Sequence, residues 1–278
     1  MASFFVADTI PTPSSPGCST IIMNGYFFFV SLQPYINPTS YTMEGFILAA
    51  GLGTRLRPLT DDRPKALVEI GGRPLLEHCI ERLVSAGVTH IVVNVHHFAD
   101  KVEAFLRSRR WPCDISISDE RELLLDTGGA LAHAMPLFTL KEDIVVHNVD
   151  ILSDVSLAAL AAHHRRQRNL ATLCVSRRST RRMLLFDRHG RLVGRASEEP
   201  VPAPLTALAF SGITLVDPAL LPLLPAGDHA YPIIDQYIAL SQQGCPIGSF
   251  LHDARRWLDV GKPETLKQAE QWIASSER

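Results

Sequence analysis

The chain has 278 residues, of which 46% are hydrophobic and 20% charged, enough to bury a sizeable core in one large α/β domain or two small ones. Its formal net charge of −2 argues against a protein whose main partner is nucleic acid, which generally needs a dominant positive surface. The five cysteines lie far apart without a CxxC pair, so neither a zinc site nor a disulfide framework is indicated, and a reducing cytoplasm is the expected location.

The first 42 residues differ in composition from the rest of the chain. Asp8 is their only charged residue, and they contain five prolines. Their apolar run, residues 21–32, is short, is interrupted by Asn24 and Gly25 and has no basic residue before it, which argues against a signal peptide or a membrane anchor. We predict that the functional protein begins at Met43 and that residues 1–42 are a disordered extension or the product of an upstream start.

Residues 46–50 form an unbroken apolar run, as expected of a strand covered on both faces of an α/β sheet. Gly51 and Gly53 end the run, and without Cβ atoms they let backbone N–H groups approach an anion. A Walker loop would have Lys-Ser or Lys-Thr after the second glycine, and a dinucleotide fingerprint would have a third glycine or alanine at Leu56. The residues that follow instead supply one hydroxyl and three cations: Thr54, Arg55, Arg57 and Lys65. This spacing predicts a site for the phosphates of a nucleoside triphosphate.

The next segments alternate between strand and helix patterns. Strands are predicted at residues 67–70, 91–95, 115–118 and 144–146, and helices at residues 74–86, 99–107, 131–137 and 157–168. Such alternation predicts a largely parallel sheet with helices on both faces and right-handed crossovers.

The second half changes to strands that can pair as hairpins. Strands are predicted at residues 171–176, 183–186, 192–194 and 208–216, and helices at residues 218–223, 233–242 and 263–273. We therefore predict antiparallel edges and one compact domain, residues 43–278. Its nucleoside triphosphate half is residues 43–155, and its sugar-phosphate half is residues 156–278.

The segments LAAGLGTRLRPLT, from Leu48, and PKALVEIGGRPLL, from Pro64, resemble the signature of the sugar-phosphate nucleotidyltransferases. The resemblance implies a single Rossmann-like nucleotide-diphospho-sugar transferase domain, with a mixed, mostly parallel sheet flanked by helices. It also implies transfer of a nucleotidyl group from a nucleoside triphosphate to a sugar 1-phosphate, with Mg²⁺ as cofactor and release of pyrophosphate. No nucleic acid or membrane partner is expected, and the protein should be a monomer or a small homo-oligomer.

Two carboxylates are the predicted magnesium ligands. Asp150 ends the strand-like run DIVVHNVD, and ligands of open α/β sheets bind beyond the carboxyl ends of strands. The resemblance places it at the metal-binding aspartate of the family, although a lone aspartate there could also cap the following turn. Asp259 lies in WLDVG, which resembles the late WxDxG motif whose aspartate joins the first on the metal.

The resemblance also suggests where base and sugar bind. LLLDTGGAL, residues 123–131, resembles the nucleobase loop, whose open N–H groups at a helix start would receive polar ligand atoms; Thr127 would alternatively be an N-cap. Glu198-Glu199-Pro200 replaces the Glu-Lys-Pro of many members, which removes a cation used on the sugar phosphate, and Arg177 or Arg178 could replace it. The predicted nucleotide-binding residues are Leu48, Ala49, Ala50, Gly51, Gly53, Thr54, Thr127, Gly128 and Gly129. The predicted sugar-phosphate-binding residues are Asn148, Glu198, Phe210 and Gly212.

The roles implied by the resemblance define the expected reaction. Arg55 would stabilise the departing pyrophosphate, and Lys65 the acceptor phosphate or the α-phosphate, as the two catalytic residues. The preferred substrates are UTP and N-acetylmuramate 1-phosphate. The alternatives are a GTP-dependent mannose or heptose 1-phosphate guanylyltransferase, a phosphocholine cytidylyltransferase and a non-catalytic nucleotide-sensing homologue.

Overall fold

The computed structural model describes residues 42–196, 201–252, 254 and 256–276, together with the backbone of strands β1 (Cys18–Met23) and β2 (Tyr26–Ser31). The chain divides into two units, Met1–Tyr41 and Thr42–Arg278. In the first unit, β1 and β2 pair as an antiparallel hairpin. The start of the functional protein at Met43 stays a prediction.

The second unit alternates strands and helices. Its strands are β3 (Met43–Leu48), β4 (Glu69–Ile70), β5 (Arg73–Pro74), β6 (Val88–Val95), β7 (Asp114–Asp119), β8 (Ile144–Asn148), β9 (Ile151–Ser153), β10 (Ala171–Ser176), β11 (Met183–Phe186), β12 (Leu192–Arg195), β13 (Thr206–Val216), β14 (Ile247–Leu251) and β15 (Trp257–Asp259). Its helices are α1 (Leu75–Ser85), α2 (Ala99–Arg107), α3 (Asp126–Ala134), α4 (Leu157–Gln167), α5 (Ile233–Gln242) and α6 (Pro263–Ser276). Within the described part of the chain, no helix is both long and apolar enough to span a membrane.

The central sheet has the strand order β12-β11-β13-β8-β3-β6-β7, and β10 pairs with both β13 and β14. Strands β8, β3, β6 and β7 run parallel, whereas β13 is antiparallel to β8, β10 and β11. Strands β10 and β14 also run parallel. The predicted mixed, mostly parallel α/β sheet is therefore confirmed, and its antiparallel pairs lie in the second half of the domain and at the β8–β13 junction. The carboxyl ends of β3 and β8 lie side by side, because Leu48 pairs with Asn148.

Helices cover both faces of the parallel strands. Phe46 and Ile47 point to opposite faces of β3, and both are fully buried. On one face, α1 packs so close to β3 that a Cβ on Gly45 would lie 2.9 Å from Leu83 Cδ1. On the other face, Phe46 joins a core cluster with Leu131 of α3. This two-sided burial explains why these strands have unbroken apolar sequences.

Several elements differ from the sequence prediction. Helix α3 begins at Asp126, five residues before the predicted start, because its first turn has two glycines and little apolar periodicity. The helix predicted at residues 218–223 is a 3₁₀ helix. Strands β5, β9, β14 and β15 were not predicted. Strand β14 contains a glycine and a serine, and β15 has only three residues, so neither shows a usable hydrophobic period.

A buried histidine lies at the end of β8. His147 is fully buried; its Nδ1 donates to the Asn148 carbonyl oxygen at 2.8 Å and lies 3.3 Å from Cys79 Sγ, while its Nε2 has no hydrogen-bond partner. Burial, and secondarily the charge of Arg82, lower the pKa of His147 from 6.5 to about 4. The folded protein therefore holds this imidazole neutral at pH values where the unfolded chain would protonate it.

The pKa difference predicts a loss of stability in mild acid. Between the two pKa values His147 binds a proton in the unfolded state but not in the folded state. The free energy of unfolding is therefore unaffected by this residue above pH 6.5 and falls as the pH drops toward 4. We expect His147 to account for a loss of about 2 kcal/mol in the free energy of unfolding between about pH 7.5 and about pH 5. Urea unfolding at both pH values would measure it. His147→Gln should remove this part of the pH dependence, and the exposed His189→Gln should leave it; equal slopes for both variants would contradict the prediction.

Candidate active site

The glycine loop follows β3 at the carboxyl end of the parallel strands. Gly53 has φ +64°, in the left-handed region, and a Cβ there would lie 2.9 Å from Lys65 Cβ, so both backbone and packing require glycine. The carbonyl oxygen of Gly53 accepts a hydrogen bond from Thr60 Oγ1 at 2.9 Å. The loop thus folds back onto Lys65 and brings the two parts of the signature into contact. Thr54 and Arg55 remain exposed in the 3₁₀ helix Thr54–Leu56.

The start of this loop is held by a side chain that the sequence analysis missed. Asn94 Oδ1 accepts hydrogen bonds from the N–H groups of Ala49, at 2.6 Å, and Ala50, at 3.2 Å. These two predicted nucleotide-binding residues therefore direct their N–H groups at Asn94 rather than at an anion. A polar residue within the buried strand β6 was the available signal, because a buried amide needs partners.

Asn94 also connects the glycine loop to the predicted nucleobase loop. Its Nδ2 donates to Glu120 Oε1 at 2.8 Å, and Glu120 Oε2 accepts from the Leu125 N–H at 3.3 Å. Glu120 is only 2% exposed, and this burial raises the pKa of its carboxyl group, against the hydrogen bond from Asn94. We call Asn94 and Glu120 the loop brace. It fixes both loops to the ends of β6 and β7.

The predicted nucleobase loop is the first turn of α3. The N–H groups of Gly128 and Gly129 point at the Tyr231 carbonyl oxygen, at 2.9 and 3.4 Å, and Thr127 Oγ1 accepts from the Ile233 N–H at 2.9 Å. The expectation of open N–H groups at these two glycines is therefore wrong, because they hold α3 against the start of α5. Thr127 is not the N-cap either; Leu125 occupies that position. Exposed groups of this turn, such as Asp126, remain available to a ligand.

Removing the brace should weaken nucleotide binding. Asn94→Ala leaves the Ala49 and Ala50 N–H groups and Glu120 without their partner, each at a cost of about 1–3 kcal/mol in a buried site. We expect lower stability and a rise of about 10-fold in the KM for the nucleoside triphosphate, measured by pyrophosphate release. Asn169→Ala removes an equally buried asparagine, bonded to Thr172 and Arg191, and should lower stability alone. A similar KM change in both variants would contradict a specific role for the brace.

Lys65 and Asp150, one predicted catalytic residue and one predicted metal ligand, form an ion pair between Lys65 Nζ and Asp150 Oδ2. Lys65 is 8% exposed. Asp150 is the second residue after β8, directly after Val149. An ammonium group in this position can bind a phosphate oxygen lying against Asp150, because both groups occupy the same part of the site.

Asp259 lies next to Asp150, although 109 positions separate them in the sequence (259 − 150). Strand β15 pairs antiparallel with β9, so Asp259 faces Ile151, the neighbour of Asp150. The Val260 N–H donates to the Asp150 carbonyl oxygen at 2.8 Å and extends this pairing. The structure thus brings the two predicted metal ligands together through backbone hydrogen bonds.

Arg55 reaches the same place. A Cβ built on the buried Gly261 would lie 2.6 Å from Arg55 Nη2 and 2.7 Å from Asp259 Oδ1. Asp259 Oδ1 is buried and has no hydrogen-bond partner. A buried carboxylate oxygen without a donor, beside a second carboxylate, is suited to a hard divalent cation that keeps waters and phosphate oxygens as its other ligands. No group of three or more metal-ligating side chains occurs among the described residues.

The variant Gly261→Ala tests whether turnover depends on the close approach of Arg55 and Asp259 to Gly261. The added methyl group would displace Arg55 Nη2 and Asp259 Oδ1, which are the free ends of side chains, so we expect little change in thermal stability. Displacement of about 1 Å in a reacting site can reduce turnover by about 100-fold, and we expect a fall in kcat of that order. Gly194→Ala, where a Cβ would meet nothing within 4 Å, is the matched control. Normal kcat in Gly261→Ala would show that Arg55 and Asp259 are not used.

Asn148 and Gly212, two of the four predicted sugar-phosphate-binding residues, are in contact with each other. A Cβ on Gly212 would lie 3.2 Å from Asn148 Nδ2, so strand β13 and the end of β8 are in contact there. The Phe210 side chain packs against the core, whereas its carbonyl oxygen accepts a hydrogen bond from Arg178 Nη2. Glu198 lies outside the described residues.

A family model for nucleotidyl transferases matches residues 44–276. The chain belongs to the nucleotidyl transferase family. It is 35% identical over 240 residues to N-acetylmuramate alpha-1-phosphate uridylyltransferase of Caulobacter vibrioides, a match covering 83% of this chain and 96% of that protein. It is 31% identical to mannose-1-phosphate guanyltransferase beta-B of Xenopus laevis, covering 80% of this chain and 62% of that protein.

The fold comparison agrees with the family assignment. The structure of HddC from Yersinia pseudotuberculosis, complexed with GMP-PN, superposes with a TM-score of 0.65 at 21% identity, over 83% of this chain and 99% of that one. The predicted family and reaction class, nucleotidyl transfer to a sugar 1-phosphate, are therefore confirmed. The matched region, residues 44–276, contains the glycine loop, Lys65, Asp150 and Asp259.

Proposed function

We propose that this nucleotidyl transferase joins UTP and N-acetylmuramate 1-phosphate, or a closely related sugar 1-phosphate, with Mg²⁺ as its cofactor. The observation that carries the proposal is the convergence of Lys65, Asp150, Asp259 and Arg55 at the carboxyl ends of β3 and β8. A non-catalytic nucleotide sensor would have no need for a buried, unpartnered carboxylate oxygen among these charges.

The residues divide the reaction between them. An oxygen of the sugar phosphate attacks the α-phosphorus of the nucleoside triphosphate, forming a new P–O bond as the bond to pyrophosphate breaks. Lys65 neutralises phosphate charge at the point of attack, and Arg55 neutralises the charge that develops on the departing pyrophosphate. The glycine loop and the loop brace hold the nucleotide in line, so the protein acts mainly by positioning and charge neutralisation.

Asp150 and Asp259 are the residues that would hold Mg²⁺. Bound there, the ion would supply positive charge to offset the negative charge of the reacting phosphate groups. The proximity of Lys65 to Asp150 lets the same pocket accept both the cation and the phosphate group.

Identity over nearly the whole length of the Caulobacter relative supports the choice of substrates. The guanyltransferase alternative has support from similar identity, but this chain spans only 62% of that relative. Phosphocholine, whose cation needs an aromatic cage, has less support. The aromatic residues that could form such a cage have other contacts. Tyr237 is fully buried, Tyr231 packs against Gly128, and the Trp257 ring is in a cation–π contact with the Arg178 guanidinium group. Cytoplasmic location remains part of the proposal.

Pyrophosphate release from five nucleoside triphosphates against a panel of sugar 1-phosphates would test the proposal. We expect metal-dependent release that is greatest for UTP with N-acetylmuramate 1-phosphate. Asp259→Asn and Arg55→Ala should each reduce kcat by about 100-fold or more, because each removes a well-placed charge. The exposed Asp114→Asn is the carboxylate control and should be normal. Release with GTP and mannose 1-phosphate alone would instead establish the alternative, and no release despite measurable UTP binding would indicate a sensor.

A further inference from the structure

The arginine-rich stretch of residues 165–182 contains one arginine that differs from the others. Arg178 is half-buried, whereas the other six arginines of the stretch are exposed: Arg165, Arg166, Arg168, Arg177, Arg181 and Arg182. Arg178 follows β10 and lies where β13 meets β15, the strand that carries Asp259. Arg177 and Arg178 are equivalent in the sequence as replacements for the missing lysine, whereas in the structure only Arg178 is half-buried.

Two neighbours fix the plane of the Arg178 guanidinium group. Its Cζ lies 4.1 Å from the centroid of the Trp257 ring, a cation–π contact, and its Nη2 donates to the Phe210 carbonyl oxygen. Trp257 is fixed in turn, because its Nε1 donates to the Ser211 carbonyl oxygen at 2.9 Å. The guanidinium is therefore held in place before any ligand binds.

The charge of Arg178 is only partly compensated. No carboxylate of the described residues lies within ion-pair distance of it, and its Nε is buried without a hydrogen-bond partner. Burial lowers the pKa of Arg178, and the more distant carboxylate of Asp259 opposes that shift. A partly desolvated guanidinium with unused donors is a strong site for an anion, because an ionised acceptor provides both charge and hydrogen bonds.

The reaction requires such a cation on the acceptor side. Arg55 and Lys65 come from the nucleotide half, where they face the charge of the triphosphate. A sugar 1-phosphate brings a second anionic group to the same site, so repulsion between the reactants must be offset on the acceptor side as well. Arg178 belongs to the sugar-phosphate half, and its guanidinium group stacks on Trp257, two residues before Asp259.

We propose that Arg178 binds the phosphate group of the sugar 1-phosphate and so positions the attacking oxygen. This inference depends on the reaction given in the proposed function. It does not depend on which base or which sugar the substrates carry. It makes Arg178 a substrate-binding residue, with Trp257 and the Phe210 carbonyl oxygen as its supports.

The test compares Arg178→Gln, Arg178→Lys and the exposed Arg181→Gln in steady-state pyrophosphate release. We expect Arg178→Gln to raise the KM for the sugar 1-phosphate by about 10- to 100-fold, the range for a lost hydrogen bond to a charged group, without changing the KM for the nucleotide. Arg178→Lys should recover part of the loss, because it keeps the charge but not the fork of donors. Arg181→Gln should match the unmodified protein. Equal KM changes for both substrates, or none, would overturn the proposal.

A second arm separates phosphate from other anionic groups and from failure of the proposed function. N-acetylglucosamine 1-phosphate lacks the carboxylate of the muramate sugar, so a defect confined to N-acetylmuramate 1-phosphate would overturn the phosphate assignment. Whichever pair of substrates the unmodified protein uses, its acceptor KM should respond to Arg178. If no pair of substrates reacts, the proposed function fails. The Arg178 site is then tested separately, by thermal unfolding of the protein with each sugar 1-phosphate. Stabilisation that Arg178→Gln abolishes would support the site, and equal or absent stabilisation would overturn it.

Discussion

The pairing of β9 with β15 is the constraint on which the site depends. Asp150 and Asp259 reach each other because a three-residue strand near the end of the chain returns to lie antiparallel to the strand that follows Asp150. Backbone hydrogen bonds, including Val260 N to Asp150 O at 2.8 Å, fix this approach independently of any side chain. The fold thus holds the backbones of Asp150 and Asp259 side by side, and two carboxylates brought into one site need nearby cations to offset their repulsion.

Burying these charged groups costs free energy of folding. A cluster with this cost therefore indicates a function rather than a contribution to stability. Burying Lys65 with Asp150 costs desolvation energy, and replacing such a buried pair by apolar residues is often neutral or stabilising. An unpartnered carboxylate oxygen, such as Asp259 Oδ1, costs about 1–3 kcal/mol more. A chain selected for stability alone would avoid both features. A chain that must bind a divalent cation and phosphate recovers the cost when these ligands supply the absent partners.

Some residues of this site can be predicted from the sequence, and others cannot. The glycine loop, Lys65 and Asp150 were accessible, because they lie in a continuous signature or at the end of a periodic apolar strand. The resemblance of its short motif predicted Asp259 beside Asp150, but not the strand pairing that brings them together, since β15 is too short to show a period. The sequence does not show that the N–H groups of Gly128 and Gly129 are occupied, because their partner, the Tyr231 carbonyl oxygen, is a backbone atom about a hundred residues away. Asn94 and Glu120 have no local signal for their shared function, which arises only when β6 and β7 become neighbours.

The sheet changes from parallel to antiparallel pairing between β8 and β13, beside the candidate site. Tyr231 ties the first turn of α3 to the start of α5, and β13 brings Gly212 against Asn148 at the end of β8. Arg55 and Lys65 come from the parallel part, whereas Arg178 follows β10 and donates to the Phe210 carbonyl oxygen of β13. In the proposed reaction the triphosphate and the sugar phosphate are both anions that must approach within bonding distance, so cations are needed on both sides. The antiparallel part of the sheet would supply the cation on the acceptor side.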